Sequence, residues 1–167
     1  QRRTVNVRVS ETALRELYLM PFEICVADAH PWTIMAAYND VNGVPATEQD
    51  ELNSGILKSE WGWDGLLMSD WGATKTAAPA ANGGLDLVMP GPAGPWGDQL
   101  VAAVRSGAVA AAAIDDHLTR LLRLAGREAP ADVAGRRQPA DRAPPHHGRA
   151  PRARRGGRHR RAGPALP

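Results

Sequence analysis

Apolar side chains recur along the first three-quarters of the chain in two alternating patterns. Ser10 stands at a helix N-cap position ahead of Glu11. Leu14, Leu17, Tyr18, Phe22 and Cys25 follow at the spacing that places them on one helical face. Pro21 has no amide hydrogen, so this helix is expected to kink or restart there. The run Trp32-Thr33-Ile34-Met35-Ala36-Ala37-Tyr38 is short, mostly apolar and bounded by Pro31 and Asn39, and reads as a buried strand. Asn42-Gly43 marks a turn. Thr47 with Asp50 three residues on has the form of a capping box, Asp standing in for Glu. It opens a helix whose inner face would be Leu52, Ile56, Leu57 and Trp61, stopped by Gly62 and Gly65. Residues 65–69 form a second buried strand that runs into Asp70-Trp71-Gly72. A weak helix or loop over 74–81 stops at Asn82-Gly83-Gly84. Leu85-Asp86-Leu87-Val88-Met89 is a third strand, ended by Pro90. Asp98 begins a helix through Val104, and 108–124 is the last, with Ile114, Leu118, Leu121 and Leu122 inward.

The order is therefore α-β-α-β-α-β-α-α. Short apolar strands alternating with helices predict an α/β fold, a parallel sheet covered by helices. Three strands are few for a complete domain of this class, since an eight-fold barrel takes about 250 residues. Either the sheet opens onto a partner at both ends, or the chain is a fragment.

Charge divides the molecule in two. Of its 167 residues, 1–126 carry 9 basic and 15 acidic side chains, while 127–167 carry 11 Arg and 3 acids. The net charge of +2 averages over these unlike pieces. All five Trp, both Tyr and the only Phe lie in the first piece. The second is mostly Arg, Ala, Pro and Gly, with Val133 and Leu166 its only large aliphatics. Such a segment cannot bury enough apolar surface to offset the entropy of ordering its backbone, so it is expected to be disordered from about 130 onward. Two further readings attach to it. An arginine-rich arm could bind nucleic acid, although no aromatic residues interleave the arginines to stack on bases. Arg, Ala, Gly and Pro also have the most GC-rich codons, so an out-of-frame continuation of a GC-rich gene produces this mixture, and the change after Gly126 is abrupt. One cysteine forms no internal disulfide and no zinc cluster. No apolar run is long enough to span a membrane. No secretory leader is legible, which leans the compartment toward cytoplasmic, and Gln at the first position leaves the true N-terminus open.

In parallel α/β folds, ligands meet the carboxyl ends of the strands. That rule selects Tyr38, Asn39 and Asp40 after the first strand, Asp70 and Trp71 after the second, and Met89 after the third. Asp86, inside a strand, points to structure. Asp70 is the most informative. A carboxylate at a strand tip beside an indole suits glycoside cleavage, where it attacks or stabilises an oxocarbenium-like carbon while the aromatic face lies along the sugar ring. The pattern equally allows Asp70 to cap the following helix. Tyr38 taken alone fits a core or helix-facing hydroxyl, and Trp61 and Trp63 fit packing.

Met35-Ala36-Ala37-Tyr38-Asn39-Asp40-Val41-Asn42-Gly43, Leu57-Lys58-Ser59-Glu60-Trp61-Gly62-Trp63-Asp64-Gly65, Met68-Ser69-Asp70-Trp71-Gly72-Ala73 and Leu85-Asp86-Leu87-Val88-Met89-Pro90-Gly91 occur in this order. Together these motifs resemble the glycoside hydrolase family 3 β-glucosidases over residues 1–126. The resemblance implies that 1–126 is the C-terminal part of a TIM-like barrel domain, its last three βα units, with 127–167 outside any domain. It implies that Asp70 is the catalytic nucleophile, that Tyr38 lines the glucose subsite beside it, and that Met35 and Trp71 line the same pocket. The substrate would be a β-glucoside or related carbohydrate, and no cofactor, metal, membrane or nucleic acid is implied. Ser-Asp-Trp favours the glucosidase/xylosidase branch over the N-acetylglucosaminidase branch. The family's Lys-His pair, and the Arg and Asp that hold sugar hydroxyls, would lie upstream of this chain. Its acid/base Glu lies in a second α/β domain, to which the sequence after Gly126 has no match. A nucleophile without its acid predicts a chain inactive by itself. The competing reading is a basic-tailed nucleic-acid-binding protein on an α/β scaffold.

Overall fold

The computed structural model describes residues 2–92 and 94–128. The expectation of disorder from about 130 onward, and most of the arginine-rich segment, lie outside the described residues. In chain order the elements are β1 (Asn6–Val7), α1 (Glu11–Ala13), a π-helical stretch (Leu14–Tyr18), α2 (Met20–Ile24) and a second π-helical stretch (Cys25–Ala29). Then come β2 (Thr33–Ala36), β3 (Asp40–Val41), β4 (Val44–Pro45), a 3-10 turn (Ala46–Glu48) and a π-helix (Glu51–Glu60). The last are β5 (Leu66–Ser69), α3 (Ala78–Asn82), α4 (Asp98–Arg105) and α5 (Ala111–Glu128).

β2 and β5 pair in parallel, Thr33 opposite Leu66 through Ala36 opposite Ser69. Three of the four β5 residues, Leu66, Leu67 and Ser69, are buried, as in a parallel strand covered on both faces. The expected third strand is present only in part. Leu87 makes a single parallel bridge to Met68, and 85–89 is otherwise irregular. The cause is local. The Leu67 amide is taken by the Asp86 carboxylate at 2.8 Å rather than by a backbone carbonyl, while Leu67 O accepts from both Asp86 N and Leu87 N.

A smaller sheet was not legible in the pattern. β1 lies parallel to β3, and β3 turns back antiparallel onto β4. The turn is Asn42-Gly43, with φ of 52° and 96°, the left-handed pair a tight hairpin requires. Ser10 Oγ caps α1 through the Ala13 amide, and α2 restarts with Pro21 in its first turn. The Thr47–Asp50 box does not form. The helix begins only at Glu51, Asp50 makes no side-chain cap, and the Thr47 hydroxyl is buried without a partner. That helix buries Asn53, Ile56 and Leu57, with hydrogen bonds running five residues back, as from Trp61 N to Ile56 O.

Two expected inner faces are overturned. Leu17, Tyr18 and Phe22 are exposed, as is Cys25, and only Val26 of that helical segment reaches the core. On α5, Leu118, Leu121 and Leu122 face outward, and the buried position is His117. The reason lies in the loop that α5 packs on. Backbone carbonyls at 63–65 need donors, and α5 supplies arginines: Arg120 Nη1 donates to Trp63 O and Gly65 O, and Arg123 Nη1 to Asp64 O. The helix also ends later than expected, at Glu128. Trp63 is a packing residue, buried with its indole N–H on Pro31 O. No described helix is long and apolar enough to cross a membrane.

Gly83 closes α3 against the preceding helical turn. A Cβ there would lie 2.6–2.7 Å from the backbone of Glu48. Its own φ is ordinary, −76°, so close approach and not conformation demands glycine. Alanine would have to push two backbone segments apart, which costs about 1–3 kcal/mol in packed interiors. Gly83→Ala is therefore expected to lower stability by about 2 kcal/mol, read as a fall in the urea midpoint at unchanged slope. A midpoint equal to that of the parent chain would contradict this packing.

Candidate functional site

Asp70 directly follows β5, and its amide extends the ladder by donating to Ala36 O at 2.9 Å. Its carboxylate Oδ1 accepts the Trp71 amide at 2.7 Å. The chain then folds back, with Ala73 N on Asp70 O and Gly72 N on Met89 O. Asp70 is half-buried. The next helix starts eight residues later, with Ala77 at its N-cap position and no side-chain cap. The helix-cap reading of Asp70 is thus overturned, because no helix begins where its carboxylate could reach one.

Tyr38 lies just past the end of β2. Its hydroxyl donates to Trp71 O at 2.7 Å, which joins the loops that follow β2 and β5. Trp71 is 62 % exposed and leaves its indole face free of the core. Met35, opposite Met68 in the ladder, is 57 % exposed. Strand alternation separates it from Ala36, which is buried. Asn39 and Asp40 play backbone roles: Asn39 O accepts Ala46 N, and Asp40 N donates to Val5 O in the small sheet. Met89 O and N bind the Gly72 amide and Ser69 Oγ, so Met89 enters the site through its backbone.

Two groups at this end of the strands went unnoticed in the sequence. The guanidinium groups of Arg2 and Arg3 stack over the Tyr38 ring, 5.3 and 4.9 Å from its centroid. Each is a cation–π contact. The signal available was faint: two adjacent arginines near the start of the chain, in a stretch with no acid before Glu11. They place positive charge beside the aromatic residue that touches the Asp70 loop.

Beneath the strand tips lies a buried charge cluster. The Asp86 side chain has no solvent exposure. Its Oδ1 accepts Lys58 Nζ at 2.6 Å and faces His117 Nδ1 at 2.8 Å. Lys58 also donates to Gly84 O and lies 3.9 Å from Asp116. His117 Nε2 faces Ala81 O at 3.2 Å. Asp86, Asp116 and His117 converge as metal ligands would. The Lys58 ammonium already stands between the two carboxylates, so the cation of this cluster is built in.

Burial pushes the Lys58 ammonium below its usual range, against the opposing pull of the Asp86 charge and hydrogen bond. Burial raises the Asp116 carboxyl, and Arg120 and Lys58 outweigh it, so the group ends below the ordinary value. The sign for Lys58 follows from proton linkage. Between its lowered folded value and 10.5 the unfolded chain binds more protons, so stability rises with pH in that window. Compared with Lys58→Met, the parent chain should gain melting temperature as pH climbs through the alkaline range toward 10.5. A constant or shrinking difference would contradict the buried ammonium.

Fold and site together define an α/β protein with its candidate chemistry at the carboxyl edge of parallel strands. Residues 2–124 match the model of the glycosyl hydrolase family 3 N-terminal domain, and the chain belongs to that family. Over 123 residues it is 49 % identical to β-glucosidase B of Emericella nidulans, a span covering 72 % of this chain and 14 % of that one. Among solved structures it is similar to the β-glucosidase of Kluyveromyces marxianus in complex with glucose, with TM-score 0.70 and 42 % identity, over 74 % of this chain and 15 % of that one. It is also similar to the family 3 β-glucosidase of Bifidobacterium adolescentis, with TM-score 0.72 and 38 % identity, over 75 % and 18 %. The chain thus spans less than a fifth of the length of each of these relatives.

Proposed function

We propose that this chain is a segment of a retaining β-glycosidase that hydrolyses terminal β-D-glucosyl or related residues through a covalent glycosyl-enzyme intermediate. The observation that carries the reading is the placement of Asp70. It sits at the tip of β5, tied to β2 through Ala36 O, beside the exposed Trp71, whose backbone carbonyl accepts the Tyr38 hydroxyl. In this role the Asp70 carboxylate attacks the anomeric carbon as the bond to the aglycone oxygen breaks and that oxygen takes a proton from a second carboxyl group; water then attacks the anomeric carbon, giving a proton back to that group and releasing the Asp70 carboxylate. Tyr38 holds the loop that carries the nucleophile, and Met35 and Trp71 offer apolar surface to the sugar ring. Family membership and the β-glucosidase names of its relatives support the substrate class.

Residues 1–126 fit the last three βα units of a TIM-like barrel domain. Support comes from the parallel order of β2, β5 and the bridge at Leu87, with helices Glu51–Glu60 and Ala78–Asn82 between them. The remaining barrel units and the acid/base carboxyl belong to polypeptide beyond this segment. The test uses a full-length family 3 β-glucosidase carrying residues 2–124 in place of its own matching segment. Proton NMR should find the β-anomer of the sugar released first, and a 2-fluoro-glycoside inactivator should label the peptide containing Asp70. Release of the α-anomer first, or a label elsewhere, would overturn the reading.

A further inference from the structure

We propose that Asp86 is a positioning residue for Asp70, the buried carboxylate that sets the register of 85–89 against β5 and so fixes the loop bearing the nucleophile. The proposal rests on the nucleophile reading of Asp70, and its geometry stands apart from it. Asp86 Oδ2 takes the Leu67 amide, three residues before Asp70, in place of a ladder carbonyl. Leu67 O in turn accepts the amides of Asp86 and Leu87, so β5 and 85–89 are locked together at this point. The lock propagates along both chains. Ser69 N donates to Leu87 O, Met89 N donates to Ser69 Oγ, and Gly72 N donates to Met89 O. The last two bonds flank Asp70. A slip of 85–89 by one residue would break each of them.

The carboxylate is itself held from two other elements, by Lys58 of the π-helix and His117 of α5. Buried ion clusters of this kind contribute little net stability, because desolvation offsets attraction, and their best-attested use is to specify register. Removing Asp86 would leave Lys58 with the Gly84 carbonyl and Leu67 N–H without its acceptor. A general loss of packing and a specific loss of register therefore make different predictions for Asp70.

The experiment is NMR of the full 167-residue chain with aspartate carboxyl and tryptophan labels. It compares the parent with Asp86→Asn, His117→Gln and Val109→Ala. Val109 is 1 % exposed, lies between α4 and α5, and serves as a packing control. Asparagine keeps one acceptor oxygen where Asp86 uses two, one for the Leu67 amide and one for Lys58 and His117; with that oxygen drawn to the Lys58 ammonium, exchange of the Leu67 amide in Asp86→Asn should quicken about tenfold beyond any global destabilisation, the effect of one lost hydrogen bond. The Asp70 carboxyl and Trp71 indole resonances should shift. His117→Gln should move the same resonances less. Val109→Ala should lower the melting temperature and leave them in place. Unmoved Asp70 and Trp71 resonances in folded Asp86→Asn would overturn the proposal. Should Asp86→Asn fail to fold, unmoved resonances in His117→Gln would overturn it. A shifted Asp70 together with an inactivator label on some other residue would leave the positioning intact and defeat the nucleophile reading instead.

Discussion

Asp70→Asn is expected to reduce glycoside cleavage by at least about three orders of magnitude in the full-length enzyme carrying residues 2–124, as loss of a nucleophile does elsewhere. The amide matches the carboxylate in shape but is a far poorer nucleophile, so the covalent intermediate does not form. Folding should survive. Among the described residues, the one side-chain bond Asp70 makes is accepted from the Trp71 amide, and an asparagine oxygen accepts it equally well. Its strand bond to Ala36 uses the backbone and is untouched. A purely local turn role predicts near-equal rates for the two enzymes, so the readings differ greatly in rate and little in stability. The measurement is the single-turnover rate with melting curves beside it. Equal rates would end the nucleophile assignment, and most of the functional reading would go with it.

Much of this arrangement was written in short-range signals. Apolar runs flanked by proline, glycine and asparagine located β2 and β5, because a strand covered on both faces needs little more than length and hydrophobicity. Pro21 and Asn42-Gly43 act through backbone constraints that no distant contact alters. The failures came where a long-range partner outweighed local pattern. Thr47 and Asp50 have the residue types of a cap, yet a 3-10 turn intervenes and the helix starts too late to use them. The leucines of α5 recur at helical spacing, and helical spacing alone does not say which face turns inward. That was decided by the carbonyls at 63–65 and by the Asp86 carboxylate, which drew Arg120 and His117 toward them. Asp86 was read as structural, and the structure adds what pattern could not: a lysine 28 residues back and a histidine 31 residues on share its oxygen. Arg2 and Arg3 were invisible as site neighbours because their partner, Tyr38, is brought to them by the small sheet of β1 and β3.

The purified 167-residue chain is expected to release p-nitrophenol from p-nitrophenyl β-glucoside no faster than buffer does. Retaining cleavage needs two carboxyl groups about 5–5.5 Å apart, one to attack and one to protonate the departing oxygen. The family motifs supply only Asp70. Its carboxylate accepts the Trp71 amide. Absence of leaving-group protonation alone removes about 10²–10⁴ in rate. The geometry removes more. Trp71 at 62 % and Met35 at 57 % exposure leave the surface proposed for the sugar open to water, so attraction at the anomeric carbon would be weakened by the high dielectric of solvent. Because the two deficits are separable, a substrate with a strongly acidic leaving group tests them apart. 2,4-Dinitrophenolate departs without protonation, so any residual cleavage by this chain should appear with it first and vanish in Asp70→Asn. Robust turnover of the p-nitrophenyl substrate by the chain alone would show that a second carboxyl within it performs the acid's role, and would refute the assignment of that role to polypeptide beyond this segment.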